Sequence, residues 1–238
     1  MKVAGSVALV TGADRGLGRA FARELVSRAA AKVYGAARNP AAVTEPGVTP
    51  IALDITDPER VARVARECPD VTLLVNNAGV MKASPFIGAP SLDAARQEME
   101  TNYFGTLSMC RAFAPVVAAA GGGAIVNMLS DASFYNYPLD PSYGASKAAE
   151  WSMTNGIRME LSHQGTLVVG VHASFIDTDM AAGIDAPKIS PESVAQQTFD
   201  AVEAGKIEVL ADERTRFVKA SLPRDHELIY APLEKVFF

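Results

Sequence analysis

Apolar residues fall into short, nearly continuous runs separated by longer stretches in which they recur at helical spacing. The first run, residues 7–10, stops at Thr11-Gly12. Residues 16–29 then favour helix, with Leu17, Ala20, Phe21 and Leu25 at helical spacing. Residues 32–37 predict a second strand, which Arg38-Asn39-Pro40 ends because proline cannot continue a ladder. A third short strand is expected at residues 49–53. Asp57-Pro58 then supplies an N-cap and a proline at the first helical position, predicting a helix through Val61, Val64 and Ala65 toward Glu67. Residues 71–75 read as a fourth strand. A long helical stretch over about residues 91–120, broken near its middle, ends at Gly121-Gly122-Gly123, before a strand at 124–129. A helix from near Tyr143 to Gly165, a strand at 167–172, a helix at 191–204 and a strand at 207–210 complete the series.

Seven nearly continuous apolar strands separated by helices imply an α/β protein with a seven-stranded parallel sheet, helices on both faces and right-handed crossovers. The length of 238 residues fits one such unit, and no repeat, low-complexity segment or linker divides it, so a single domain over residues 1–238 is expected. With 49% hydrophobic and 21% charged residues the chain can bury a substantial core, which excludes a disordered chain. A formal net charge of −5 without a concentrated basic run argues against a nucleic-acid partner. Cys68 and Cys110 read as ordinary core residues in a reducing compartment. The apolar stretch at residues 1–10 is too short for a membrane span and runs straight into a glycine motif, so a soluble, cytoplasmic protein with no membrane partner is expected.

That motif, Thr11-Gly12-Ala13-Asp14-Arg15-Gly16-Leu17-Gly18, spaces its glycines as Gly-x-x-x-Gly-x-Gly between the first strand and the first helix. Backbone there must approach a pyrophosphate, and helix amides can receive its charge. A carboxylate at the end of the second strand would suit the ribose hydroxyls of NAD, whereas a cation suits a 2′-phosphate. Here Arg38 ends the strand, and Arg15 lies within the glycine loop, so NADP(H) is the expected cofactor. Asp54-Ile55 and Asn76-Asn77-Ala78-Gly79 follow the third and fourth strands, at the carboxyl ends where open sheets bind ligands.

Tyr143 and Lys147 are spaced i, i+4, hence on one face of a helix, where the ammonium can favour phenolate and lower the tyrosine pKa. Ser130 lies thirteen residues upstream, just past the fifth strand, and Asn102 within the long broken helix. With these residues in this order, the chain resembles the short-chain dehydrogenase/reductase family, in an NADP-preferring form, over nearly its whole length. The resemblance rests on residues 11–18, Asn76 to Gly79, Asn102, Ser130, Tyr143 and Lys147. It implies a three-layer Rossmann fold and an oxidoreductase acting on CH–OH and C=O groups.

Residue by residue, the resemblance makes Tyr143 the general acid/base, Ser130 the donor to the carbonyl oxygen, and Lys147 the residue that holds the nicotinamide ribose and tunes Tyr143. Asn102 would anchor a water in the proton relay. Gly12, Asp14, Arg15, Gly16, Leu17, Gly18, Arg38, Asp54, Ile55, Asn77, Ala78, Gly79, Tyr143, Lys147, Ile176 and Thr178 would contact the cofactor. No metal is implied, and His163, His172 and His226 lack ligand spacing. After the sixth strand the family's usual Pro-Gly is replaced by Ala173-Ser174, a departure that bears on the backbone path toward Ile176 and Thr178. Phe134, Tyr135 and Tyr137 on one side and Met180 and Ile184 on the other would border the substrate, suiting an apolar or aromatic ketone or aldehyde. The expected activity is an NADPH-dependent carbonyl reductase or, in reverse, an alcohol dehydrogenase. Reduction of an imine or activated C=C bond, and a catalytically silent NADP-binding sensor, are the alternatives. The resemblance also implies a homodimer or homotetramer.

Overall fold

The computed structural model describes residues 1–237. Strands β1 (Val7–Thr11), β2 (Lys32–Ala37), β3 (Val48–Ala52), β4 (Leu73–Asn76), β5 (Gly123–Met128), β6 (Thr166–His172) and β7 (Glu208–Leu210) form one parallel sheet in the order β3-β2-β1-β4-β5-β6-β7. This is the expected Rossmann architecture. The chain starts beside the middle, winds outward to β3, then returns to β4 on the other side of β1. The strand order therefore reverses next to β1, and the crevice at that point is where such sheets take ligands.

Alternation along the strands feeds two cores. Ala8, Val10, Leu73, Val75, Ala124, Val126, Val169 and Val171 face one layer, where α1 (Gly16–Ser27) and α6 (Pro191–Glu203) pack; Leu9, Leu74, Ile125 and Val168 face the other. On the first side Phe21 and Phe199 meet edge to face at 5.8 Å, joining α1 to α6. The second side is covered by α2 (Pro58–Glu67), α4 (Thr106–Ala119) and α5 (Pro141–Glu160). With both faces buried, the strands can be apolar at successive positions, which is the pattern the sequence displays. The expected N-cap of α2 is present: the Asp57 carboxylate accepts from the amides of Glu59 and Arg60, each at 3.0 Å.

The break in the long central helix is a π-helical segment, Met99–Gly105, between α3 (Asp93–Glu98) and α4. Other boundaries shift by a few residues; α5 stops at Glu160, and a single 3-10 turn, Ser162–Gln164, carries the chain to Gly165. Past β7 the chain folds into α7 (Glu213–Ser221), a π-helical turn at His226–Tyr230 and α8 (Ala231–Phe237), helices for which no expectation was formed. Val218 and Ile229 of this region pack on Phe134 and Tyr135. No helix among the described residues is long and apolar enough to cross a membrane.

Candidate active site

A cleft of about 440 Å³ opens at the carboxyl ends of the strands. Its floor is the turn between β1 and α1. Gly12 and Gly16 adopt left-handed backbone, with φ of +67° and +50°, which glycine reaches without steric cost. Gly18 faces a different constraint: a Cβ there would lie 1.9 Å from the Gly12 carbonyl oxygen, so the first turn of α1 lies directly against the loop. Arg15 occupies the N-cap position without a side-chain cap hydrogen bond, so no side chain there takes up the first-turn amides of α1.

The loop is braced from β4. The Thr11 hydroxyl accepts from the amides of Asn77 at 2.9 Å and Ala78 at 3.0 Å, and the Asn77 side-chain amide donates to the Thr11 carbonyl at 3.0 Å. Asn77 thus lines the cleft while its amide is spent on joining β4 to the glycine loop. Asn76 points into the interior and donates to Asn127 at 2.9 Å.

At the outer end, Arg38 is exposed just past β2, and Asp54 and Ile55 follow β3. Burial works against the Asp54 carboxylate. Hydrogen bonds from the amide and hydroxyl of Thr56, at 2.9 and 2.7 Å, together with the charge of Arg38, outweigh it and hold the carboxyl below its usual pKa. Arg15 reaches Asp179 at 3.5 Å across the mouth, with side chains 68% and 81% exposed. A pair this exposed contributes little and leaves the guanidinium available to another anion.

The inner end gathers Ser130, Tyr143 and Lys147. Ser130 follows β5, and its hydroxyl accepts from the Ala132 amide and donates to Asp131, both at 3.2 Å. Tyr143 and Lys147 lie in the first two turns of α5, with the ammonium 5.9 Å from the phenol ring centroid. Lys147 is buried and donates to the Met128 carbonyl at 2.9 Å and to Glu150 at 2.7 Å. Lys147 lowers the tyrosine pKa as expected, but the net direction is upward. Burial raises the phenol pKa by more than Lys147 and Ser130 lower it, and the charges of Glu150 and Asp131 push the same way as burial.

Asn102 sits within the π-helical segment, fully buried and outside the cleft wall. Its side chain accepts from the Val80 amide at 2.8 Å and donates to the Val80 carbonyl and the Ser146 hydroxyl, each at 2.9 Å. Both amide protons are consumed, tying the segment after β4 to α5.

After β6, Ile176 and Thr178 line the cleft, and the Thr178 methyl packs where a Gly16 side chain would be. Ser174 turns to α7 instead of supplying backbone freedom: its amide and hydroxyl donate to the Asp212 carboxylate at 2.8 and 2.9 Å. Asp212 is also the N-cap of α7, accepting from Thr215 at 2.9 Å. The Ala-Ser replacement thus couples the end of β6 to the C-terminal helices.

On the substrate side Tyr135, Tyr137, Met180 and Ile184 line the cleft as expected. Phe134 does not; it stacks on His172 at 4.3 Å and meets Trp151 edge to face at 4.9 Å. His172 bonds the Ser130 carbonyl through Nδ1 at 3.0 Å, and burial pulls its pKa down to about 4, so it is a neutral support behind the serine. Two carboxylates absent from the sequence expectation also face the cleft. Asp131 is paired with Arg214 at 3.1 Å, and Arg214 donates in turn to the Tyr135 hydroxyl. Asp140 has a buried oxygen without a partner, and burial, with the charges of Asp131 and Glu98, raises its pKa to about 6. Cys68 and Cys110 are buried free thiols, as expected of core residues.

The short chain dehydrogenase family profile matches residues 6–188. A sorbitol dehydrogenase of Cereibacter sphaeroides is 34% identical over 196 residues, covering 78% of this chain and 76% of its own. A short-chain dehydrogenase of Burkholderia cenocepacia, solved in complex with NADP, is 41% identical with a TM-score of 0.93 over 98% of this chain and 99% of that one. A structure from Burkholderia phymatum, solved in complex with NAD, shares the fold at a TM-score of 0.83 and 23% identity, over 98% and 96% of the two chains. The family match spans the glycine loop, Ser130, Tyr143 and Lys147 alike, and the chain belongs to the short-chain dehydrogenase family of oxidoreductases.

Proposed function

We propose that the protein is an NADPH-dependent carbonyl reductase, running as an alcohol dehydrogenase in the opposite direction. The observation that carries this reading is the meeting of Ser130, Tyr143 and Lys147 in the same cleft as the glycine loop. The residues fit a dinucleotide. Gly16 has left-handed backbone and a Cβ at Gly18 would meet the Gly12 carbonyl oxygen, so the turn between β1 and α1 is held by glycines, and α1 presents its first-turn amides there. NADP over NAD rests on Arg38 and Arg15, the relatives having been solved with either.

A reduced nicotinamide bound in this cleft supplies hydride, and the protein supplies position and charge. Ser130 donates a hydrogen bond to the substrate oxygen. Tyr143 delivers the proton to that oxygen as the alcohol forms, and takes it back in the oxidative direction. Lys147 keeps one ammonium hydrogen beyond those given to Met128 and Glu150, available to a ribose hydroxyl. Because both side-chain protons of Asn102 are engaged, a relay water at this residue would be held through its main chain. Tyr137, Met180 and Ile184 suit an apolar or aromatic group beside the carbonyl, while the Asp131 and Asp140 carboxyls disfavour an anionic substrate.

Two measurements test the reading. Purified protein should consume NADPH with a panel of neutral ketones and aldehydes; consumption only with imines or activated alkenes would redirect the reaction class, and binding without turnover on every compound would make the protein a sensor. Arg38→Ala should raise KM for NADPH by roughly tenfold or more, the loss of one charge-assisted phosphate contact, while leaving KM for NADH nearly unchanged. An unchanged NADPH-to-NADH ratio would remove Arg38 from the phosphate site.

A further inference from the structure

Glu150 lies one turn beyond Lys147 on α5 and is 1% exposed. Its carboxylate meets the Lys147 ammonium at 2.7 Å, with side chains 2% and 5% exposed. A carboxylate this deep gives up its hydration, and the contact with the ammonium has to offset that loss. The groups around it are neutral or engaged elsewhere. The buried Thr106 of α4 favours its charged form. The Cys110 thiol, also on α4, is pushed up to about 12 by burial. From β6, His172 is neutral, its pKa pulled down to about 4. Asp131, after β5, is paired with Arg214, and Glu98 of α3 accepts from the Lys82 amide at 2.6 Å. Glu150 is thus the carboxylate in contact with Lys147, and Lys147 is the cation beside Tyr143.

We propose that Glu150 is a positioning residue for the proton-transfer step: its carboxylate fixes the Lys147 ammonium against the Met128 carbonyl and offsets part of the positive charge that Tyr143 faces. Burial lowers the Lys147 pKa, and the groups around it, Glu150 first, raise it by more, so Lys147 stands beside Tyr143 as an ammonium. The offset has a direction. A lysine without a counter-charge would pull Tyr143 toward phenolate, the form that accepts a proton from an alcohol. With Glu150 present, Tyr143 keeps its proton to higher pH, the form that donates to a carbonyl oxygen. The pair therefore favours reduction over oxidation across a wider alkaline range. This inference rests on the proposed role of Tyr143 as proton donor.

Glu150→Gln removes the charge and keeps the size of the side chain. The test reads Tyr143 directly in the cofactor-free protein, as the ultraviolet difference titration between each protein and its Tyr143→Phe counterpart. The Tyr143 midpoint should fall by about one pH unit or more in Glu150→Gln, the size expected when a buried like charge is removed. In parallel, the alkaline limb of the pH profile for carbonyl reduction should move down by a similar amount. If Glu150→Gln fails to fold, Glu150→Asp, which draws the charge back by one methylene, should shift the midpoint the same way by less. Unchanged or raised midpoints would overturn the proposal, and unchanged ones with a uniform loss of kcat at every pH would make Glu150 a packing residue. A wild-type protein inactive on every carbonyl would sink the reductase reading, whereas the phenol titration would still decide the role of Glu150.

Discussion

Tyr143→Phe will lower the turnover of carbonyl reduction by about 10²–10⁴-fold, the range typical for loss of a positioned general acid. The change removes one oxygen from a side chain at the inner end of the cleft and leaves the ring in place beside Lys147. The cofactor contacts proposed for the glycine loop and Arg38 lie at the other end of the cleft, so NADPH affinity should stay within about a factor of three. The separation is the informative part: kcat falls while the dissociation constant measured by fluorescence titration does not. A variant that retains its turnover would mean that the proton comes from elsewhere, and Asp140, with a pKa near 6 on the substrate side, would be the next group to replace.

Gly18→Ala should have the second largest effect, on binding and stability together. The added methyl would stand 1.9 Å from the Gly12 carbonyl oxygen and 2.6 Å from the Asn77 amide nitrogen. The first of these is backbone, so no rotamer change relieves it, and α1 must shift away from β1. Forcing a methyl into such a contact costs about 1–3 kcal/mol, seen as a lower melting temperature. A displacement approaching an ångström at the pyrophosphate should weaken NADPH binding by roughly 100-fold. Gly156→Ala on α5 is the matched control, because no atom lies within 4 Å of its added carbon. There the methyl should stabilise the helix by about 0.5–1 kcal/mol and leave binding unchanged. Equal melting temperatures for Gly18→Ala and the native protein would show that the loop has slack that its packing gives no sign of.

The central sheet was legible because β1, β2, β4, β5 and β6 are runs buried on both faces, and a run of that kind cannot be mistaken for an exposed element. The helix ends of α2 and the crevice beside β1 followed from Asp57-Pro58 and from the glycine spacing, which are local signals. The candidate site residues were legible for the same reason: the glycine loop is contiguous, and Tyr143 and Lys147 are a turn apart on one helix. The C-terminal helices were not. Residues 213–237 carry a weaker apolar pattern, and what they cover, Phe134 and Tyr135, lies about eighty residues earlier. The inward turn of Phe134 was equally hidden, since its partners His172 and Trp151 come from β6 and α5.

By itself the sequence determined the architecture, through periodicity, and brought forward the glycine loop, Ser130, Tyr143 and Lys147 as candidates, through local spacing and the family resemblance. The tertiary structure decided the electrostatics. Tyr143 beside Lys147 reads in sequence as a phenol with a lowered pKa, yet the folded site raises it, since burial opposes phenolate and Glu150 answers the lysine's charge. Glu150 is spelled out three residues after Lys147, but nothing in the string says that it is buried or which way it points. Desolvation and charge pairing are properties of a closed volume assembled from β5, β6, α4 and α5 together, and they come into being only when that volume closes.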